Sequence, residues 1–379
     1  MTDVLLYGDT EHSAAMRHEI PISIGDPFLY AEVGGINYVM TSGLERERIA
    51  AVRPDAELVD IADLGFYELL RSGLERDEVW PELIARVAAH TGVRTAIVDF
   101  SFALGVAERL RADGITLVVD DATIKSRRRV KSPGEMDGIR RAQRAAEAAV
   151  AAAESLLRSA APVDGTLHVD GRPLLAEDVR AAMRDVCWER GALLPPEVIV
   201  ASVWQGFGHE PGSGPLPAGL PIEVDVWPRD SASGCWADMT RTFLVGTAPE
   251  EVARLVELVR EALERVRAAA APGALGSDLH AITCDLFEAA GHPTQRTGPA
   301  EDATEGFQFS LGHGVGLEVH EDPVLGLGSS EPLVAGDVLA VEPGLWSREF
   351  GGVRFEDLLL VTGEGCETLT SYPYTVALG

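Results

Sequence analysis

The chain has 379 residues, room for two or three domains, and 46% of them are apolar, ample for a core. Its net charge of −28, with no evident basic face, excludes a nucleic-acid binder and reads as a solvated acidic surface. No run approaches the ~18 uninterrupted apolar residues of a membrane span, and the first residues lack the basic and apolar regions of a signal peptide.

In chain order, Pro27 to Val33 and Asn37 to Met40 read as strands, and Leu64 to Arg71 and Val79 to His90 as helices. Thr95 to Phe100 is a strand, Ala103 to Ala112 a helix and Ile115 to Val119 a strand. This rhythm defines a small α/β domain over residues 1–128. A basic run, Lys125 to Lys131, marks the boundary and reads as a solvated connector, with contact to a partner subunit as the alternative. Ser132 then caps a helix with Pro133 in its first turn, and this alanine-rich helix runs to about Ala160. A second helix follows near Ala176 to Arg190. The pattern repeats, with a long helix from Pro249 to about Ala270 and another near Asp278 to Ala290. Each helix pair precedes strand-like segments, so residues 129–379 read as a pseudo-twofold α+β domain with a site between its halves. The cysteines at 187, 235, 284 and 366 form no C-x-x-C pair and read as buried free thiols of a reducing compartment, which makes the cytoplasm the expected location.

The chemistry concentrates in the second half. Strand periodicity sets Ile222, Val224 and Val226 on one face and Asp225 on the other. Asp238 aligns with Trp236, Thr240 and Thr242. Glu342 shares a face with Ala340, opposite Leu339 and Val341. Glu356 aligns with Arg354 and Leu358, opposite Val353 and Phe355. Each strand thus has an apolar face for helices and turns an acid the other way. A curved sheet with those faces inward gathers Asp225, Asp238, Glu342 and Glu356. Four carboxylates cannot share a pocket as free anions. Two divalent cations neutralise them, and His313 completes the set. Oxygen ligands with a single nitrogen favour manganese, cobalt or iron. Such a dimetal site activates a water and stabilises an oxyanion, which implies amide hydrolysis. His313 sits between glycines in Gly312 to Gly316, where other groups can come close to the backbone. His320, beside Glu321 and Pro323, is placed to hydrogen-bond a tetrahedral intermediate or the substrate carbonyl. His209 lies in a glycine-rich segment, Gly206 to Gly214, that can close over a substrate.

These segments resemble the pita-bread metallopeptidases, a group that includes prolidase, aminopeptidase P, methionine aminopeptidase and, without metal, creatinase. The resemblance is strong over roughly residues 133–375. It is weaker over 1–128, which resembles the creatinase-type N-terminal domain. It implies that Asp225 chelates one metal, Asp238 and Glu356 bridge, and His313 and Glu342 bind the other. It implies that His320 and His209 bind substrate and assist proton movement. Glu342 also resembles the group that takes a proton from a water bridging the metals. Arg354 resembles an arginine that orients these groups and, in some members, a substrate carboxylate, a task suited to a guanidinium. The expected fold is α+β, a pita-bread catalytic domain over 129–379 behind a smaller α/β domain. The expected activity is hydrolysis of the bond before proline, as an Xaa-Pro dipeptidase or aminopeptidase, in a cytoplasmic homodimer. Short proline-containing peptides are the expected substrates. Two divalent ions are the expected cofactors, manganese first, with cobalt, iron or zinc compatible. The alternative is a hydrolase or lyase on a small non-peptide amide or a modified amino acid. A non-catalytic binding module is a further alternative.

Two features depart from the family. The spacing of Asp225 and Asp238 is wider by two, an even insertion that keeps both on one face and that a longer hairpin absorbs. Asp230, within it, is expected to be turn-exposed rather than a rival ligand. The region before the catalytic domain is also short for the family.

Overall fold

The computed structural model describes residues 2–202, 205, 208–297 and 304–378. They form two compact units, Met1–Arg128 and Arg129–Gly379.

The first unit is built on a six-stranded sheet. Its spatial order is Glu57–Asp60, Ile36–Thr41, Phe28–Val33, Asp3–Gly8, Thr95–Val98 and Thr116–Val119. Phe28–Val33 pairs antiparallel with both neighbours, and the remaining pairs are parallel. The strand Asp3–Gly8, absent from the sequence reading, lies at the sheet's centre. Leu5 packs on one side with Leu29, Ala31, Leu83 and Val87, while Val4 and Leu6 pack on the other with Tyr30, Ile20 and Ile49. Covered on both faces, its Val-Leu-Leu core loses the polar alternation that announces a strand.

The second unit opens with the helix Pro133–Arg158. Ser132 Oγ accepts from the Glu135 N–H, and the Glu135 side chain accepts from the Ser132 N–H, a reciprocal cap. Its buried stripe of Ile139, Ala142, Ala145, Ala146, Ala149, Val150 and Ala153 follows helical spacing with small residues, which lets the strands behind it approach closely. Ala176–Glu189 completes the first helix pair, and Glu250–Ala269 with Gly276–Ala289 forms the second. The first pair leads to a sheet ordered Ile199–Ala201, Ile222–Val226, Met239–Val245, Ala377–Leu378. The second leads to one ordered Glu321–Leu325, Gly312–Gly314, Val338–Val341, Asp357–Val361, Cys366–Thr368. The halves are sewn together along Met239–Val245. Thr242 Oγ1 donates to Arg354 O at 3.1 Å and accepts from Arg354 N at 3.0 Å, and Glu356 N donates to Thr240 O at 3.1 Å.

Arg241 anchors this seam from behind. It is 1% exposed. Its guanidinium donates to the Asp357 carboxylate at 2.8 Å and to the carbonyls of Thr240, Glu356, Tyr372 and Pro373, and the Tyr374 ring lies 4.6 Å from it. The contacts to Thr240, Glu356 and Asp357 fall on segments that carry or flank site residues, and those to Tyr372, Pro373 and Tyr374 tie in the C-terminal segment.

The basic run is not a solvated connector. Arg127 donates to Glu19 at 2.7 Å and Glu32 at 2.8 Å, within the first unit. Arg129 donates to Asp337 at 2.8 Å, and the Lys131 ammonium, buried, pairs with Glu321, both within the second. A sequence shows the clustered charge but not the separate acids that take it up one by one.

Replacing Arg241 with methionine removes the guanidinium from four carbonyls and from the buried Asp357 carboxylate, which retains the Tyr374 hydroxyl. The expected loss is about 3–5 kcal/mol, read as a lowered denaturant midpoint; a midpoint unchanged from the parent would show that the seam does not depend on this side chain.

Candidate metal centre

Strand pairing delivers the acids to one place. Ile222–Val226 and Met239–Val245 pair antiparallel with Asp225 opposite Thr240, so both turn to the same face and Asp238 continues that face one pleat earlier. Thr240 Oγ1 donates to Glu356 Oε2 at 2.7 Å, fixing the Glu356 carboxylate. Glu342 follows the strand Val338–Val341, with its N–H held by Leu311 O at 2.9 Å. His313 is the middle residue of the strand Gly312–Gly314. A Cβ on Gly312 would sit 1.9 Å from Ala340 O, and one on Gly314 2.3 Å from Asp322 O. The flanking glycines are therefore required for both neighbouring strands to close on the histidine.

Asp225, Asp238, His313, Glu342, Glu356, Arg354, His320 and His209 all line one cavity of about 220 Å³, together with Glu197, Trp227 and Val319. Asp225, Asp238, His313, Arg354 and Glu356 are buried, whereas His320 and His209 are exposed at the mouth. Of the segment around His209, Gly206 and Phe207 lie outside the described residues.

The donors form three overlapping sets, Asp225–Asp238–Glu356, His313–Glu342–Glu356 and Asp238–His313–His320, with ligand atoms within 4.8 Å of one another in each. Glu356 belongs to two sets and Asp238 to two. Shared carboxylates are what two adjacent cations require. His313 Nδ1 lies 3.0 Å from Gly314 O, which assigns the proton to Nδ1 and leaves the Nε2 lone pair facing Asp238 and Glu342 at 3.7 Å. A lone pair aimed at two carboxylates is repulsive without a cation between them. Asp225 Oδ1 is buried with no hydrogen-bond partner, an orphan acceptor in the same position. The residues present thus fit divalent metal ions.

Electrostatics carries the same message. Burial pushes Glu342 up to about 7, with Asp225 and Glu223 adding to the rise and Arg354 opposing it. Burial and the neighbouring carboxylates hold Asp238 and Glu356 well above the ordinary range. Burial, helped by the adjacent His320, drives His313 down to about 4, so it is neutral and available as a ligand. The His313 and His320 rings meet edge to face at 4.2 Å, and partial burial with nearby His209 lowers His320 as well.

Two residues differ from the sequence reading. Asp230 is not turn-exposed: it is 3% exposed, bound by Arg141 at 2.8 and 2.9 Å and by Ser233. It ties down the widened hairpin, its oxygens are engaged, and it stays outside the cavity. Glu223 was overlooked. It shares the face of Asp225, two residues earlier, and lies 2.9 Å from Arg354 Nη2. The same period-two rule that placed Asp225 would have found it.

A carboxylate-rich centre spanning two half-domains defines this as a metallohydrolase-like protein. Residues 137–363 match the model of metallopeptidase family M24, and the chain belongs to that family. Over 134 residues it is 37% identical to the Xaa-Pro dipeptidase of Pyrococcus furiosus, a match covering 35% of each chain. The chain therefore spans about a third of the length of the curated relatives it first matches. Solved structures extend the likeness to the whole fold. The prolidase from Pyrococcus horikoshii OT3 superposes with a TM-score of 0.75 at 23% identity, covering 99% of this chain and 95% of that one. The Xaa-Pro dipeptidase from Bacillus anthracis gives 0.77 at 21%, covering 99% and 94%. The α+β pita-bread fold expected from the sequence is the fold observed.

Carboxyls held above their usual range keep protons at mildly acidic pH, and a bound cation must expel them, whereas neutral His313 has none to lose. Manganese loading of the metal-free protein at such a pH should release protons. Calorimetry in buffers of different ionisation enthalpy reads this directly, and a buffer-independent heat would contradict it.

Proposed function

We propose that the protein hydrolyses the peptide bond preceding proline, as an Xaa-Pro dipeptidase or aminopeptidase, on a centre that holds two divalent ions. The observation that carries the reading is the set of overlapping ligand groups around an orphaned Asp225 oxygen and an imidazole lone pair directed at carboxylates. The family membership and the names of the similar proteins support it.

In this reading Asp225, Asp238, His313, Glu342 and Glu356 would hold the metals, and Asp238 and Glu356, each in two of the donor groups, would be available to both. When bound, the ions supply an acidified water and an electrostatic clamp for the oxyanion. Glu342 is the base: its carboxylate lies in the cavity, held by Arg354, placed to take up a proton and return it. His320 and His209, at the cavity mouth, hydrogen-bond the substrate carbonyl and the intermediate. Arg354 holds the ligand acids in place. Its Nη1 lies 3.2 Å from Glu342 Oε2, and its Nη2 donates to Asp225. A donor set of oxygens with a single imidazole favours manganese, with cobalt, iron and zinc compatible. Four unpaired cysteines support a reducing, cytoplasmic setting. The homodimer is proposed from the family resemblance, with sedimentation as its check.

Asp238→Ala removes a shared ligand and should abolish turnover of Ala-Pro-Ala while lowering the bound manganese. His320→Ala should cut kcat roughly a hundredfold to a thousandfold with metal retained. Full activity in His320→Ala would remove the role assigned to it. Absence of bound metal after careful loading would remove the dimetal reading altogether.

A further inference from the structure

Beside the ligand cluster lies a second, larger cavity of about 410 Å³ that shares His209, His313, His320, Glu342 and Arg354 with it. Its apolar side is formed by Phe309, Trp346 and Val324. The Phe309 and Trp346 rings meet edge to face at 5.0 Å, leaving a firm apolar slot of the kind a pyrrolidine ring fills. Glu223 lies in the same cavity.

A dipeptide ending in proline would bring a free carboxylate into this slot, and burying it calls for a cation. Among the described residues lining the cavity, Arg354 is the one guanidinium or ammonium group. The segments 203–204, 206–207 and 298–303 contain no lysine or arginine. Arg354 is already committed. Its Nη2 meets Asp225 and, at 2.9 Å, Glu223 Oε1; its Nη1 meets Glu342; its Nε is buried and makes no hydrogen bond. Charge counting agrees. Of the six carboxylates lining the two cavities Glu197 is exposed to solvent; the other five, those of Glu223, Asp225, Asp238, Glu342 and Glu356, face one guanidinium, and their surplus of four negative charges is what two divalent ions would cancel. Without Glu223 one positive charge would be left over for a substrate anion. With it, none is.

We propose that Glu223 is a specificity-determining residue that neutralises Arg354 and restricts the centre to peptides whose proline carboxyl is tied in an amide. Tripeptides, longer peptides and amide-blocked dipeptides are then substrates, and free Xaa-Pro dipeptides are poor ones. The inference rests on the Xaa-Pro peptidase reading above. It separates this chain from relatives that carry the dipeptidase name.

The test uses the manganese-loaded full chain, its metal content measured, with Ala-Pro, Ala-Pro-amide and Ala-Pro-Ala. Wild-type kcat/KM for the amide and the tripeptide should exceed that for Ala-Pro by roughly tenfold or more, since placing like charges together is costly. Glu223→Gln should narrow the gap by lowering KM for Ala-Pro relative to that for the amide, a split that a merely structural role would not produce. Prolinamide should also bind the loaded wild type more tightly than proline in calorimetry. Ala-Pro cleaved as well as the amide by wild type overturns the inference, and so would expose a cation supplied by a second copy of the chain. An equal drop for all three peptides in metal-replete Glu223→Gln would make Glu223 an anchor for the substrate's amino group, and also overturns it. The wild-type ratio decides the matter even if the variant fails to fold. No turnover of any peptide by metal-replete wild type overturns the peptidase reading itself, and this inference with it.

Discussion

Five largely buried carboxylates held close together are the constraint around which the second unit is organised. Left as free anions they would repel one another strongly, and burial would strip the hydration that makes each tolerable. The structure meets this with one guanidinium, with carboxyls pushed toward the protonated form, and with a geometry that places donor atoms in overlapping groups. Each device is partial, and together they describe a site built to be completed by cations.

Holding such a site demands stiffness elsewhere. The strand Met239–Val245 is buried along its whole length and hydrogen-bonds through Thr240 and Thr242 to the segment that carries Arg354 and Glu356. Behind it, Arg241 clamps the backbone of Thr240 and Glu356 from the apolar side. A buried ion pair is weak evidence of net stability, because desolvation consumes much of its attraction. Its value here is positional. Arg241 and Asp357 point away from the cavity while their chain neighbours Thr240 and Glu356 point into it, so fixing one set fixes the other. Lys131 and Glu321 make a similar buried pair next to His320.

Much of the site was legible because strands obey a period of two. That rule alone put Asp225, Asp238, Glu342 and Glu356 on inward faces, and the same rule applied two residues earlier would have found Glu223. Helices were legible for a comparable reason: the Ser132–Glu135 cap and the apolar stripe behind it are local signals. Asp230 was misplaced because its burial depends on Arg141, distant in the chain. The basic run reads as solvated because Arg127, Arg129 and Lys131 are answered by acids far along the chain, whereas Lys125 pairs locally, with Asp121. The central strand Asp3–Gly8 was missed because both of its faces are covered.

The amino-acid sequence by itself determined which acids and histidine gather, the side of each strand the acids occupy and the charge that calls for compensating cations. Those follow from periodicity and from the cost of buried like charges, which depend only on neighbours along the chain. The tertiary structure alone decided which acid meets which partner. Arg354 could have remained free for a substrate carboxylate, and nothing near it in sequence says otherwise. The pairing of Ile222–Val226 with Met239–Val245, and of that strand with the Arg354 segment, brings Glu223 to 2.9 Å from the guanidinium. Coulombic interactions act through space, so the charge left over for a ligand is a property of the assembled sheet.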